Sequence, residues 1–245
     1  MLEMFLPSLI EEHHLDLVVA NAENAAHGFG VTPDTADHLY RTGVDILTSG
    51  NHIWDKKEVF EYISKESRLL RPANYPPNVP GKGYAITLTR SGRKAGVINL
   101  QGRIFMGPSD DPFAAGMQLV EKIRRETPII FVDIHGEASS EKQAMGWYLD
   151  GKVTAVFGTH THVPTSDLRI LSAGTAYVTD IGMTGPYDSV IGIDKDQIIQ
   201  KFLDQMPTRF EVAKENPILE AILVQLDPET GHALRIERIT RKGEK

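Results

Sequence analysis

The 245-residue chain contains no cysteine. Disulfides and thiolate metal sites are therefore excluded, and any bound metal must take nitrogen and oxygen ligands. Basic charge is also scarce: 26 Lys and Arg face 33 Asp and Glu, a net charge of -7, so there is no electrostatic footprint for a stable nucleic-acid complex. No stretch approaches the roughly 20 apolar residues of a membrane span. Met1 to Ile10 is apolar but carries Glu3 and Pro7 and runs into Glu11 and Glu12, unlike a signal peptide. Repeats, low-complexity segments and linkers are absent, which points to one domain over residues 1–245 in a reducing cytoplasm.

What is present is an apolar content of 41%, typical of a globular core. Met1 to His13 has helical periodicity, and Thr32-Pro33-Asp34 is a capped helix start that runs to Thr42. Further helices are expected from Asp55, taken as a cap, to about Ile63, over Phe113 to Glu126, over Glu141 to Leu149 and over Asp194 to Gln205. Apolar strands are expected at Leu15–Ala20, Val44–Thr48, Ile129–Ile134 and Val153–Phe157, the last ended by Gly158. Tyr84–Thr89 with Lys94–Leu100, and Ile218–Leu226 with Ala233–Ile239, read as hairpins. Strands alternating with helices predict an α/β fold, a largely parallel sheet flanked by helices, with antiparallel additions at an edge or in a second sheet.

Four of the apolar strands end alike. Glu23-Asn24, Asn51-His52, His135, and His160 with His162 stand just beyond them. In an open α/β sheet the carboxyl ends of parallel strands share one rim, where ligands bind. Each segment has a bland alternative: asparagines bonded to their own turn, a solvated glutamate, a satisfied histidine. Their joint occurrence favours convergence. Three histidines, a carboxylate and amide oxygens exceed what one metal uses; two cations about 4 Å apart use them all, with Glu23 bridging. Such a pair clamps a phosphoryl group and brings the pKa of a water toward roughly 7. The mixed donors suit iron, manganese or zinc better than magnesium or calcium.

The motifs Asn21-Ala22-Glu23-Asn24-Ala25-Ala26, Gly50-Asn51-His52-x-Trp54-Asp55, His135-x-Glu137-Ala138-x-Ser140-Glu141-Lys142 and Gly158-Thr159-His160-Thr161-His162 resemble those of the YmdB-like bacterial metallophosphoesterases, of the calcineurin-like superfamily. Arg71-Pro72-x-Asn74, Gly102-Arg103-x-Phe105 and Thr179-Asp180-x-Gly182-Met183-Thr184-Gly185 match as well, so the likeness runs from about Leu6 almost to the C-terminus. The resemblance implies a calcineurin-like fold and a phosphodiesterase of 2′,3′-cyclic nucleotides with a dinuclear iron or manganese centre, zinc being the further candidate. It implies a small phosphodiester or nucleotide as partner, no membrane, and is compatible with a homo-oligomer. By the same resemblance, Glu23 bridges the metals, Asn51, His135 and His160 complete one site, and Asn24 and His162 serve the other. His52 is then the general acid beside the metals, a role that suits an imidazole titrating near 6.5. One family element has no counterpart here: an opening strand ending in Gly-Asp, whose aspartate binds the first metal. The expectation is a first site without its own carboxylate; the alternative function is an impaired, regulatory family member with little turnover. Arg103, Glu137 and Asp180 are secondary candidates, as a phosphate contact and as orienting groups for histidines.

Overall fold

The computed structural model describes residues 1–243. The chain begins with α1 (Leu2–His13), β1 (Val19–Asn21), α2 (Pro33–Thr42), β2 (Ile46–Thr48) and α3 (Val59–Lys65). The start of α2 is fixed as its sequence predicts. The Thr32 hydroxyl accepts from the Thr35 N–H, Pro33 opens the helix, and Gly43 closes it at φ 114°. β1 and β2 pair in parallel, Val19 opposite Ile46. The strand expected from Leu15 is paired only from Val19 onward, because the Asp45 carboxylate takes the Val18 N–H at 2.7 Å and the ladder starts after it. Leu6 of α1, Val31, Ala36, Leu47, Ile53 and Ile63 bury one another around this pair.

The centre of the chain is β3 (Tyr84–Leu88), β4 (Lys94–Gln101), α4 (Pro112–Ile123), β5 (Ile130–His135), α5 (Ser139–Tyr148), β6 (Ala155–Thr159), β7 (Arg169–Ile170) and β8 (Ala176–Val178). They form a sheet in the order β3-β4-β5-β6-β8-β7, parallel in its middle, with antiparallel β3 and β7 at the edges. Ile98, Leu100, Val132, Val156, Met145 and Tyr177 are fully buried between sheet and helices. Each such side chain contributes about 1.5–3 kcal/mol of burial. Gly158 does not end β6, contrary to expectation. It lies inside the strand because a Cβ there would fall 1.8 Å from the Thr179 carbonyl oxygen, so only glycine lets the two segments approach.

The chain closes with β9 (Gly185–Pro186), α6 (Lys195–Asp204), β10 (Pro217–Leu226) and β11 (Ala233–Lys242), in which β10 is the centre of a three-stranded antiparallel sheet. The strands that end at the candidate donors thus belong to two sheets rather than one open sheet. Among the described residues no ladder joins β1 and β2 to the large sheet; the segment at Leu69 and Leu70 bridges β2 at Leu47 and meets Lys82 just before β3. Between β1 and β10 runs a cleft of about 1600 Å³, walled by Leu17, Val19, Phe131, Phe157 and Leu223, and leading to the strand ends at Glu23 and His135. Among the described residues no helix is long and apolar enough to cross a membrane.

Candidate metal centre

Glu23 lies in the turn after β1, Asn51 and His52 follow β2, His135 is the last residue of β5, and His160 comes directly after β6. Although two sheets supply them, they meet. His135 Nε2 is 2.8 Å from Glu23 Oε2, 3.0 Å from His160 Nδ1 and 3.1 Å from Asn51 Oδ1. Among the described residues, the histidine and carboxylate donors that gather within 4.8 Å of one another are Glu23, His135 and His160.

The orientation of His135 comes from a chain of bonds beneath it. Asp133, wholly buried on the same strand, accepts from the Thr159 hydroxyl at 2.7 Å, from the Thr48 hydroxyl and from the Asn21 amide. The Thr159 proton is therefore committed to Asp133, and the same oxygen accepts from His135 Nδ1 at 2.9 Å. Burial raises the Asp133 carboxyl, and His135 and these donors oppose the rise. With Nδ1 directed at the Thr159 hydroxyl, the ring turns Nε2 toward the centre. On the other side of the ring, Gly50 leaves the space it needs: a Cβ there would lie 2.2 Å from His135 Nε2.

His160 Nε2 faces the Glu137 carboxylate at 3.2 Å, which leaves Nδ1 to face the centre. Burial, followed by the neighbouring His135, pushes the His160 pKa down to about 4, so its imidazole is neutral at pH 7. Glu23 is 1% exposed. Burial pushes its carboxyl upward, but His135 and the His52 backbone N–H, 2.7 Å from Oε1, outweigh this and hold it below the usual carboxylate range. One carboxylate, two imidazole nitrogens and an amide oxygen then face one point. That donor set fits a divalent cation of the iron, manganese or zinc type.

A second pair stands beside the first. His162 Nδ1 donates to the Ile191 carbonyl at 2.8 Å, which turns Nε2 toward the Asn24 side chain at 3.0 Å. Rotating that amide by half a turn would set its oxygen beside the ring nitrogen, the arrangement a cation requires. Both histidines of the segment have left-handed backbone, φ 98° at His160 and 66° at His162. Non-glycine residues adopt this at a cost of about 1–3 kcal/mol each, and it persists only where surrounding structure imposes it.

His52 is not part of the donor cluster. Its Nδ1 is 2.8 Å from Asp55 Oδ2, and its ring meets Phe29 edge to face at 5.3 Å. Asp55 therefore orients His52 and does not cap α3, which starts at Val59 with no side-chain cap. Glu137 reaches His160 rather than His135. The Arg103 guanidinium is half-exposed, 3.7 Å from Asp111, while its backbone N–H is held by Glu141. Asp133, Thr159 and Thr48 escaped the sequence reading. The available signal was an aspartate inside the otherwise apolar strand Ile129–Ile134, a buried charge that has to be satisfied.

The chain is similar to known proteins over nearly its whole length. The YmdB-like protein family profile matches residues 1–239. The chain is 48% identical over 239 residues to a 2′,3′-cyclic-nucleotide 2′-phosphodiesterase of Bacillus subtilis, covering 98% of this chain and 90% of that protein. It is 35% identical to a putative phosphatase/phosphodiesterase of Mycoplasma pneumoniae, covering 96% and 85%. Among solved structures, a hypothetical protein from Thermus thermophilus superposes with a TM-score of 0.92 at 40% identity, covering 99% of this chain and 93% of that one. A novel phosphatase of Mycoplasma pneumoniae superposes with 0.91 at 35% identity, covering 98% and 87%.

Proposed function

The chain belongs to the YmdB-like protein family, and from that premise we propose that it is a metal-dependent phosphodiesterase whose substrates are small phosphodiesters such as 2′,3′-cyclic nucleotides. The observation that carries this reading is the convergence of Glu23, His135 and His160, with the Thr159–Asp133 chain aiming His135 Nε2 into the cluster. Glu23, Asn51, His135 and His160 would hold one cation, and Asn24 and His162, with Glu23, would hold the other. Bound there, two cations neutralise phosphate charge and acidify a water at neutral pH.

The chain's own groups do the rest. Asp55 fixes the His52 ring at Nδ1, which leaves Nε2 free to face the leaving group. Water loses a proton to solvent as its oxygen forms the new bond to phosphorus, the bond from phosphorus to the ribose oxygen breaks, and that oxygen leaves with the His52 proton. Phe29, 39% exposed against His52, offers a face beside the leaving group. The decisive experiment strips metal with a chelator, reloads manganese, iron or zinc, and assays 2′,3′-cyclic AMP beside 3′,5′-cyclic AMP. Activity should vanish on stripping, return with manganese or iron, favour the 2′,3′ ester and be lost in Glu23→Gln and His135→Ala. Undiminished hydrolysis by fully stripped protein would refute the proposal.

A further inference from the structure

The segment that brings His160 and His162 to the centre is strained at both histidines, so something outside the donor set must impose its shape. A buried ion pair touches it on both sides of His160. Lys142, on α5 and 1% exposed, donates from Nζ to the Thr159 carbonyl at 2.6 Å and to Asp180 Oδ2 at 2.9 Å. Asp180, 1% exposed and just beyond β8, accepts at the same Oδ2 from the Thr161 N–H at 3.1 Å and the Thr161 hydroxyl at 2.8 Å. Its other oxygen takes the Gly182 N–H at 2.9 Å. The carbonyl before His160 and the amide after it are thus tied to one pair of charges. Gly158 makes the approach feasible, since a Cβ there would lie 2.7 Å from Lys142 Cδ. The neighbouring Glu141 faces the other flank of β5 and accepts from the Arg103 and Ile104 N–H groups.

We propose that Lys142 and Asp180 are positioning residues that hold the His160–Thr161–His162 segment in its cation-binding shape. Neither side chain reaches the donor cluster; each acts through the backbone. The inference rests on reading the cluster as a metal centre. An ion pair kept for stability alone can be exchanged for apolar residues of similar volume at little loss. A pair kept for positioning cannot, because the Thr161 and Thr159 contacts go with it.

The test compares wild type with Asp180→Asn, Lys142→Met and the double variant Lys142→Met/Asp180→Leu. Manganese binding is followed by calorimetry and by the manganese spin-resonance spectrum, melting temperature is measured on stripped protein, and kcat and KM are determined with 2′,3′-cyclic AMP. The expected result is a double variant that melts within a few degrees of wild type and binds manganese about 10- to 100-fold more weakly. Its manganese spectrum should change, and kcat should fall more than KM rises. Wild-type manganese affinity and spectrum in a variant whose melting temperature alone has dropped would overturn the proposal, as would failure of all three variants to fold. Absence of manganese binding in the wild type would overturn the metal-centre reading itself, a result distinct from either.

Discussion

His52 Nδ1 lies 2.8 Å from Asp55 Oδ2 while the backbone N–H of the same histidine contacts Glu23. One residue therefore joins an acid–base dyad to the donor cluster through its main chain, and its side chain is free of that cluster. Replacing His52 by alanine should leave metal content unchanged and lower kcat by about 10² to 10⁴-fold, the usual contribution of general acid catalysis. Asp55→Asn should lower kcat less and leave metal content intact. Elemental analysis beside steady-state rates decides it: loss of metal in His52→Ala would make His52 a ligand.

Gly50 is a steric prediction. A single methyl at that position collides with the His135 ring at 2.2 Å, and the ring is already fixed at its Nδ1 by Thr159. Gly50→Ala should weaken metal binding at least about 10-fold, in the range seen when a ligand's support is removed. Equal manganese affinity by calorimetry would show that the ring has room to retreat.

The two cation positions should differ in affinity. Glu23, His135 and His160 gather with Asn51, whereas Asn24 and His162 are both uncharged. An amide oxygen carries no net charge to offset a divalent ion, so titration of stripped protein should show one tight and one weak site. Two equally tight sites would mean that another anionic group completes the second.

Acid should loosen the stripped protein in a defined window. His160 has its pKa depressed to about 4, first by burial and then by His135, against 6.5 for a free imidazole. Between those values the unfolded chain takes up a proton that the folded chain refuses, so stability falls as pH drops from 6.5 toward 4. Glu23, also depressed, acts in the same direction: its contribution is present above the ordinary carboxylate range and is lost as pH falls through the folded value. After discounting for partial solvent exposure, the His160 share is about 2 kcal/mol. His160→Gln should flatten the melting-temperature profile between pH 6.5 and 4; an unchanged slope would reject the assignment.

The α/β class, most helices and the gathering of Glu23, Asn51, His135 and His160 are legible because they rest on local signals: periodicity, the Thr32-Pro33 cap, and donors placed just beyond apolar strands. What was not legible depends on partners distant in the chain. The Asp55 carboxylate fits a helix cap by position, yet His52 wins it because a charged acceptor beside an imidazole outcompetes an exposed N-terminus. The end of β6 was misplaced because glycine as a strand breaker and glycine as room for the Thr179 backbone look the same in sequence. Asp133 has no local reason to sit in a buried strand; its reason is two hydroxyls, Thr48 and Thr159, from other strands.

The donors are divided between a unit built on β1 and β2, which carries Glu23, Asn24, Asn51 and His52, and the large sheet, which carries His135, His160 and His162. Among the described residues no continuous ladder joins the two; isolated bridges, side-chain packing and hydrogen bonds such as Thr48–Asp133, Asn21–Asp133 and Ser49–Asn99 cross the seam. In amide hydrogen exchange, the Val19–Asn21 and Ile46–Thr48 amides should therefore open at lower free energy than those of β4 to β6, and as a group. Any ion held by both halves acts as a staple across that seam, binding the closed form and not the open one. Slowed exchange in β1 and β2 on adding manganese would thus report the assembled centre without any substrate being present.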